Sequence, residues 1–156
     1  MPLPDAHKIS DAHKIVAIAA DHAGFDLKNN IVEYLESAGY EVLDLGTHST
    51  ERVDYPDYGQ ALAEAIAAGK AERGIAICGS GIGISIAANR NPKVRAALCH
   101  DVTSTRLARL HNDANVLAMG ARLIGPAVAL ECIGVFLNTT FEGGRHAERV
   151  KKLGNC

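Results

Sequence analysis

Tryptophan is absent from this 156-residue chain, and the three large aromatics together make up only 4% of it. A stacking platform for bases is therefore not expected. Charge of one sign is not in excess either: 16 Lys and Arg face 18 Asp and Glu. Without a basic surplus the electrostatic footprint of a nucleic-acid partner is missing, and none is expected. No apolar run is long enough to cross a bilayer and no secretory signal pattern is present, so no membrane partner is expected. The four cysteines, Cys78, Cys99, Cys132 and Cys156, form no CxxC pair and match no zinc spacing. Reduced thiols in a cytoplasmic protein are expected, with no metal.

What is present centres on Ile75-Ala76-Ile77-Cys78-Gly79-Ser80-Gly81-Ile82-Gly83-Ile84. An apolar run reads as a buried strand, alternating glycines as a turn with converging N–H groups, and Ile82 to Asn89 as a helix. A thiol at the strand end would lie near the positive end of that helix, where a thiolate is favoured and where N–H groups can hold an oxyanion. Two familiar glycine motifs do not apply. Gly83 is followed by Ile84 and Ser85 with no lysine, which excludes a phosphate-binding Walker loop. The glycines also follow the third strand rather than the first, which argues against a dinucleotide site. The segment alone fits equally a tight strand-to-helix turn in which Cys78 is a small core residue.

Along the chain, the pentad DAHKI occurs at Asp5 to Ile9 and again at Asp11 to Ile15. It is too short to be an architectural unit, and residues 1–13 are read as a disordered leader. A single domain over residues 14–156 follows. Ile15 to Ala20 is apolar on both parities, as a central parallel strand requires. The pattern then predicts a helix over Phe25–Ser37, a strand at Glu41–Leu45, a polar loop over Gly46–Tyr58 and a helix over Ala61–Lys70. Further on it predicts strand four at Val94–Cys99, a helix from Val102 to His111, strand five at Val116–Met119, and helices at Pro126–Leu137 and Arg145–Leu153. This alternation implies an α/β fold: a three-layer, doubly wound, five-stranded parallel sheet of Rossmann-like type.

In such sheets ligands bind beyond the carboxyl ends of the strands. Asp21-His22, Cys78 to Gly83, His100-Asp101 and Arg122 each follow a strand, so all fall on that edge. His111-Asn112 ends the helix after strand four and falls on the opposite edge. Either that helix ends early, or His111 serves a neighbouring subunit, or the pair simply caps the helix. Arg145 and Arg149 share a helical face, which suits a phosphate dianion and equally a solvated charged tail.

The stretches ADHAGFDLK, TERVDYPDYG, ICGSGIGISIAANR, RLHNDANVLAMGAR and FEGGRHAERV, in order from Ala20 to Val150, together resemble type B ribose-5-phosphate isomerase. Its group also holds allose-6-phosphate and galactose-6-phosphate isomerases. The resemblance implies that Cys78 is the base moving a proton between C1 and C2 of the open-chain sugar. It implies that Gly79, Ser80, Gly81, Ile82 and Gly83 stabilise an enediolate, with the Ser80 hydroxyl in a proton relay. Some members have glycine in place of the cysteine and a glutamate where this chain has Ile84, so the cysteine branch is implied. Asp21 and His22 are implied to contact substrate, His111 to open the furanose, Asn112 to orient it, Tyr55 to line the sugar pocket, and Arg122, Arg145, Arg149 and His22 to hold the phosphate. A homodimer or dimer of dimers with shared sites, and no cofactor, complete that expectation. Conversion of a six-carbon sugar phosphate, and a sugar-phosphate-binding module without catalysis, remain the alternatives.

Overall fold

Apolar side chains occupy both parities of three strands, so the sheet must be covered on both faces, and a computed structural model describing residues 14–156 shows how. The leader and most of the duplicated pentad lie outside the described residues. β1 (Ile15–Ala20), β2 (Glu41–Asp44), β3 (Arg73–Cys78), β4 (Ala96–Leu98) and β5 (Val116–Gly120) form one sheet in the order β2-β1-β3-β5-β4. Every pairing is parallel. The helices are α1 (Phe25–Ser37), α2 (Tyr55–Ala67), α3 (Ile82–Ala88), α4 (Val102–Asn112), α5 (Pro126–Asn138) and α6 (Arg145–Leu153).

The two faces are filled differently. Val16 and Ile18 of β1, Ile75 and Ile77 of β3, and Leu117 and Met119 of β5 point into a core with α1, α4 and α5. The alternate positions, Ala17, Ala19, Ala76, Cys78 and Ala118 among them, meet α2 and α3. Small residues on that face let α2 and α3 approach closely: a Cβ on Gly59 of α2 would lie 2.8 Å from the Ala87 side chain. Burying branched side chains on one face and alanines on the other still removes both from water, at roughly 25 cal/mol per Å2 of apolar area. A fully buried Lys28 of α1 pairs with Asp44 of β2 at 2.6 Å and ties that helix to the sheet edge.

β1 sits between β2 and β3: the chain leaves β1 through α1 to β2 on one side, then crosses back from β2 through α2 to β3 on the other. The crevice at the ends of β1 and β3 is the switch point where ligands collect in such sheets. The Asp21 N–H donates to the Ile77 carbonyl across it.

Three sequence-based boundaries need correction. Tyr55 begins α2 rather than ending a loop, because Pro56 stands in the first turn, where a missing N–H costs nothing. The same helix ends at Ala67, three residues before the expected Lys70. β4 is only Ala96–Leu98, since the Arg95 and Ala96 N–H groups are taken by the side chains of Asn115 and Asn89, each at 2.7 Å.

Candidate functional site

Cys78 ends β3 with its side chain on the α2 and α3 face. It is 3% exposed, yet its surface borders a cavity of roughly 820 Å3 that opens at the carboxyl edge of the sheet. The loop after it folds back so that the Gly81 N–H donates to the Cys78 sulfur at 3.1 Å. That donor aims a partial positive charge at the sulfur. The turn depends on glycine: Gly81 has φ 76°, and a Cβ there would lie 2.6 Å from both Leu98 and the Met119 backbone. Gly120, closing β5, is as tight, with a Cβ falling 2.5 Å from the Ser80 carbonyl carbon. Ser80 accepts the Ile82 N–H on its hydroxyl oxygen at 3.2 Å.

Other side chains come to the same cavity from separate elements. Arg122, just after β5, lays its guanidinium along Gly79, whose Cβ would sit 3.4 Å from it. Tyr55, opening α2, places its ring over Gly83 so closely that a Cβ would lie 2.5 Å from ring carbons. Asp21 caps the short turn His22–Gly24, one carboxylate oxygen accepting the N–H groups of Ala23 at 3.0 Å and Gly24 at 3.2 Å. His22 accepts the Val53 N–H on Nδ1 at 3.2 Å, which puts the proton of its neutral ring on Nε2. All four residues line the cavity, as do Gly79, Ser80, Ile82 and Gly83. Arg52 lines it too, a residue that sequence reasoning passed over although TERVDYPDYG contains it.

One pair sorted to this edge does something else. His100 accepts the Gly120 N–H at 2.9 Å and so ties β4 to β5, while Asp101 caps α4 through Ser104 at 2.7 Å. The Ser104 hydrogen bonds hold the Asp101 carboxyl below its usual range. Neither lines the cavity. Burial pushes the Cys99 and Cys132 thiols up, and both lie in the core.

The remaining residues expected at the site gather elsewhere. α4 runs antiparallel to the strands and continues through Asn112, so His111 and Asn112 lie at the opposite edge, on the order of 15 Å along the helix from its start. The residue that caps α4 is Asp113, at φ 46°, held by Arg109 at 2.8 Å, rather than Asn112. Against His111 stands His146 of α6, the rings stacked at 4.3 Å with 15° between planes. Glu142 brings one carboxylate oxygen to 3.9 Å from His111 Nε2 and 4.0 Å from His146 Nε2. Burial pushes the His146 imidazole down, His111, Arg145 and Arg149 add to this, and Glu142 opposes it. Arg145 and Arg149 are exposed on α6. Within one chain, then, His111, Asn112, Arg145 and Arg149 are not brought to the Cys78 cavity.

Against known proteins, the ribose/galactose isomerase family model matches residues 16–153. Ribose-5-phosphate isomerase B of Escherichia coli is 47% identical over 90% of this chain and 94% of its own length. D-erythrulose-4-phosphate isomerase of Pectobacterium atrosepticum is 49% identical over 89% and 92%. Among solved structures, ribose-5-phosphate isomerase B of Clostridium thermocellum superposes with a TM-score of 0.89 at 50% identity, covering 90% of this chain and 95% of that one. The matched span contains both edges of the sheet, and the chain belongs to the ribose/galactose isomerase family of enzymes.

Proposed function

We propose that this isomerase interconverts D-ribose 5-phosphate and D-ribulose 5-phosphate, with Cys78 as the base. The observation that carries the reading is the Cys78 sulfur at the wall of an open cavity, receiving the Gly81 N–H. The thiolate takes the C2 proton of the open-chain aldose and the electron pair moves into an enediolate. The proton on the C2 hydroxyl leaves as the C2 carbonyl forms, the C1 oxygen gains one, and the thiol returns its proton to C1. Atoms balance and no net oxidation occurs, so the step needs no redox cofactor. Since the Gly81 and Ile82 N–H groups are taken by the Cys78 sulfur and the Ser80 hydroxyl, the loop N–H groups of Gly79, Ser80 and Gly83 supply the oxyanion donors, worth about 3 kcal/mol each in comparable sites. The Ser80 hydroxyl, at the cavity wall, relays the proton between oxygens. Asp21, with one carboxylate oxygen spent on capping, offers the other to a sugar hydroxyl, and Tyr55 walls the sugar pocket.

The second half of the site comes from a partner copy in this reading. α4 runs unbroken to Asn112, so an early helix end does not bring His111 to Cys78. Ile82, Ile86, Leu98 and Leu123 are exposed around the Cys78 loop, an apolar rim suited to burial against a second subunit. A homodimer, or a dimer of such dimers, would bring His111 to open the furanose, Asn112 to orient it, and Arg145 and Arg149 to join Arg122 and His22 on the phosphate. A cytoplasmic setting accords with free thiols. Among the described residues no helix is long and apolar enough to cross a membrane.

A shorter or longer sugar phosphate is the second reading, the shorter favoured by the 49% identity to a D-erythrulose-4-phosphate isomerase and the longer by the ribose/galactose isomerase family model. Comparing kcat/KM for ribose 5-phosphate, erythrulose 4-phosphate, allose 6-phosphate and galactose 6-phosphate decides between them. The pentose should exceed the others by at least about tenfold, the usual worth of one misplaced carbon in a fitted pocket. Binding of ribose 5-phosphate without exchange of its C2 proton into deuterated solvent would instead identify a non-catalytic sugar-phosphate-binding module.

A further inference from the structure

The cluster at the amino edge of the sheet has a composition that anion binding and ring opening do not use up. His111, Glu142 and His146 each turn one ligand atom inward, all within 4.8 Å of one another. We infer that this His111–Glu142–His146 cluster is a binding site for one divalent transition metal ion of the zinc class, formed by juxtaposing the end of α4 with the turn before α6.

Backbone bonds set the three residues in place. The Glu142 N–H donates to the Leu110 carbonyl at 3.1 Å, which fixes the strand of chain bearing the carboxylate beside His111. Gly143 and Gly144, at φ 69° and 54°, then reverse the chain, and the His146 N–H closes the turn on the Gly143 carbonyl at 3.0 Å. Glu142 and His146 consequently face the same point from opposite sides of the reversal. Both imidazoles offer Nε2 toward the shared carboxylate oxygen, at 3.9 and 4.0 Å.

Imidazole and carboxylate ligands bind zinc at about 2.0–2.2 Å, so tetrahedral ligand atoms stand about 3.4 Å apart. The present separations exceed that by well under 1 Å for the carboxylate to each ring. The wider spacing between the two stacked rings closes by rotation of His111, whose side chain is 38% exposed, with Glu142, 54% exposed, following it. His146 is the buried, fixed member. Two imidazoles and one carboxylate leave a fourth position for water, and imidazole ligands favour zinc, cobalt or nickel over magnesium or calcium. Arg145, whose Nε is 3.5 Å from His146 Nε2, must turn away, and its charge limits the affinity.

Occupation of His111 Nε2 would also remove that nitrogen from ring opening, a consequence that rests on the proposed function. The test keeps the two apart. Zinc is titrated calorimetrically into the full-length protein, and cobalt is added in parallel, tetrahedral cobalt being read from its visible absorption. Wild type should take one ion per chain. Glu142→Gln, an exposed substitution, should weaken it more than about tenfold, since even second-sphere changes cost that much, and His146→Asn should do the same. Cys156→Ser and a His7→Asn/His13→Asn variant, which remove other side chains able to ligate zinc, should bind as wild type does. No uptake at millimolar metal, or equal uptake by Glu142→Gln and His146→Asn, overturns the site. Turnover of ribose 5-phosphate should fall as zinc is added to wild type and stay constant in Glu142→Gln relative to its own metal-free rate. Uptake without loss of turnover upholds the site and strikes His111 from ring opening.

Discussion

At the carboxyl edge Cys78 is held by a tightly packed loop; at the amino edge backbone bonds bring His111, Glu142 and His146 together, but their side chains are held mainly by one another. Cys78 is positioned by a loop whose Gly81 packs against β5, and whose Gly83 packs against Tyr55, with no room for a Cβ, so its geometry is set by the fold. His111, His146 and Glu142 are placed by ring stacking and by a carboxylate open to solvent. A base that must reach one carbon needs the first kind of support, because small displacements cost rate steeply. Groups that bind a flexible phosphate or open a ring tolerate the second. The difference fits the proposed division of labour, in which the rigid edge would carry the proton transfer and the adjustable edge would meet it from a partner copy.

The contrast breaks most sharply at Cys78. Cys78→Ala should lower kcat by about 10^3-fold or more, as loss of a general base does, with no more than the modest fall in Tm that truncating one buried thiol brings. Cys132→Ala, in the core between the sheet and α5, should leave kcat alone and lower Tm instead. Equal rates in the two variants would transfer the chemistry away from the loop.

Complementation tests whether the two edges meet across subunits. Cys78→Ala and His111→Ala, mixed after dissociation and reassociation, should recover activity that neither has alone. Random pairing puts about a quarter of all sites in the unmutated combination. No recovery would mean that both residues act within one chain. Arg149→Ala should raise KM about tenfold through loss of a charge-assisted phosphate contact while kcat changes little, and an unchanged KM would remove it from the phosphate site.

Much of the carboxyl edge is legible in the sequence because its residues are local to strand ends. The run from Ile75 through Gly83 announces strand, turn and helix, and the bounds of α1 and α6 come directly from apolar spacing and from Gly143-Gly144. What is not legible depends on contacts between distant segments. Pro56 reads as loop punctuation unless the chain before it is known to turn into a helix. β4 loses its start to the side chains of Asn89 and Asn115, which no periodicity reveals. His100 looks like a site residue until Gly120 is seen donating to it. Glu142 and His146 are invisible beside His111 because a turn at two positive-φ glycines brings them together. Arg52 could have been found by asking which cations flank Tyr55.

The rigid edge should be sensitive to a single methyl group. Gly120→Ala drives a Cβ to within 2.5 Å of the Ser80 backbone, and overpacking of this kind costs about 2 kcal/mol. A Tm lowered by roughly 4–8 °C is expected together with lost turnover, because the displaced loop carries Cys78 with it. Gly125→Ala is the control: a Cβ there meets nothing within 4 Å, and both quantities should hold. A Gly120→Ala protein with normal Tm and normal rate would show that the loop has slack.

The smallest effect expected is a pH dependence confined to the amino edge. The His146 imidazole is held below its ordinary 6.5, first by burial and then by His111, Arg145 and Arg149, against the opposing charge of Glu142. The unfolded chain therefore takes up this proton at a higher pH than the folded one does, so folding is penalised as the solution becomes acid. The contribution is fully present above about 6.5 and is lost as pH falls from there through the lowered folded value. Wild type should lose Tm faster between pH 7 and pH 5 than His146→Gln, which cannot take up the proton, while Cys78→Ala should follow wild type. Parallel curves for wild type and His146→Gln would mean that protonated His146 is accommodated without cost, as it would be if Glu142 closed to hydrogen-bonding distance on the imidazolium and offset the burial that now disfavours it.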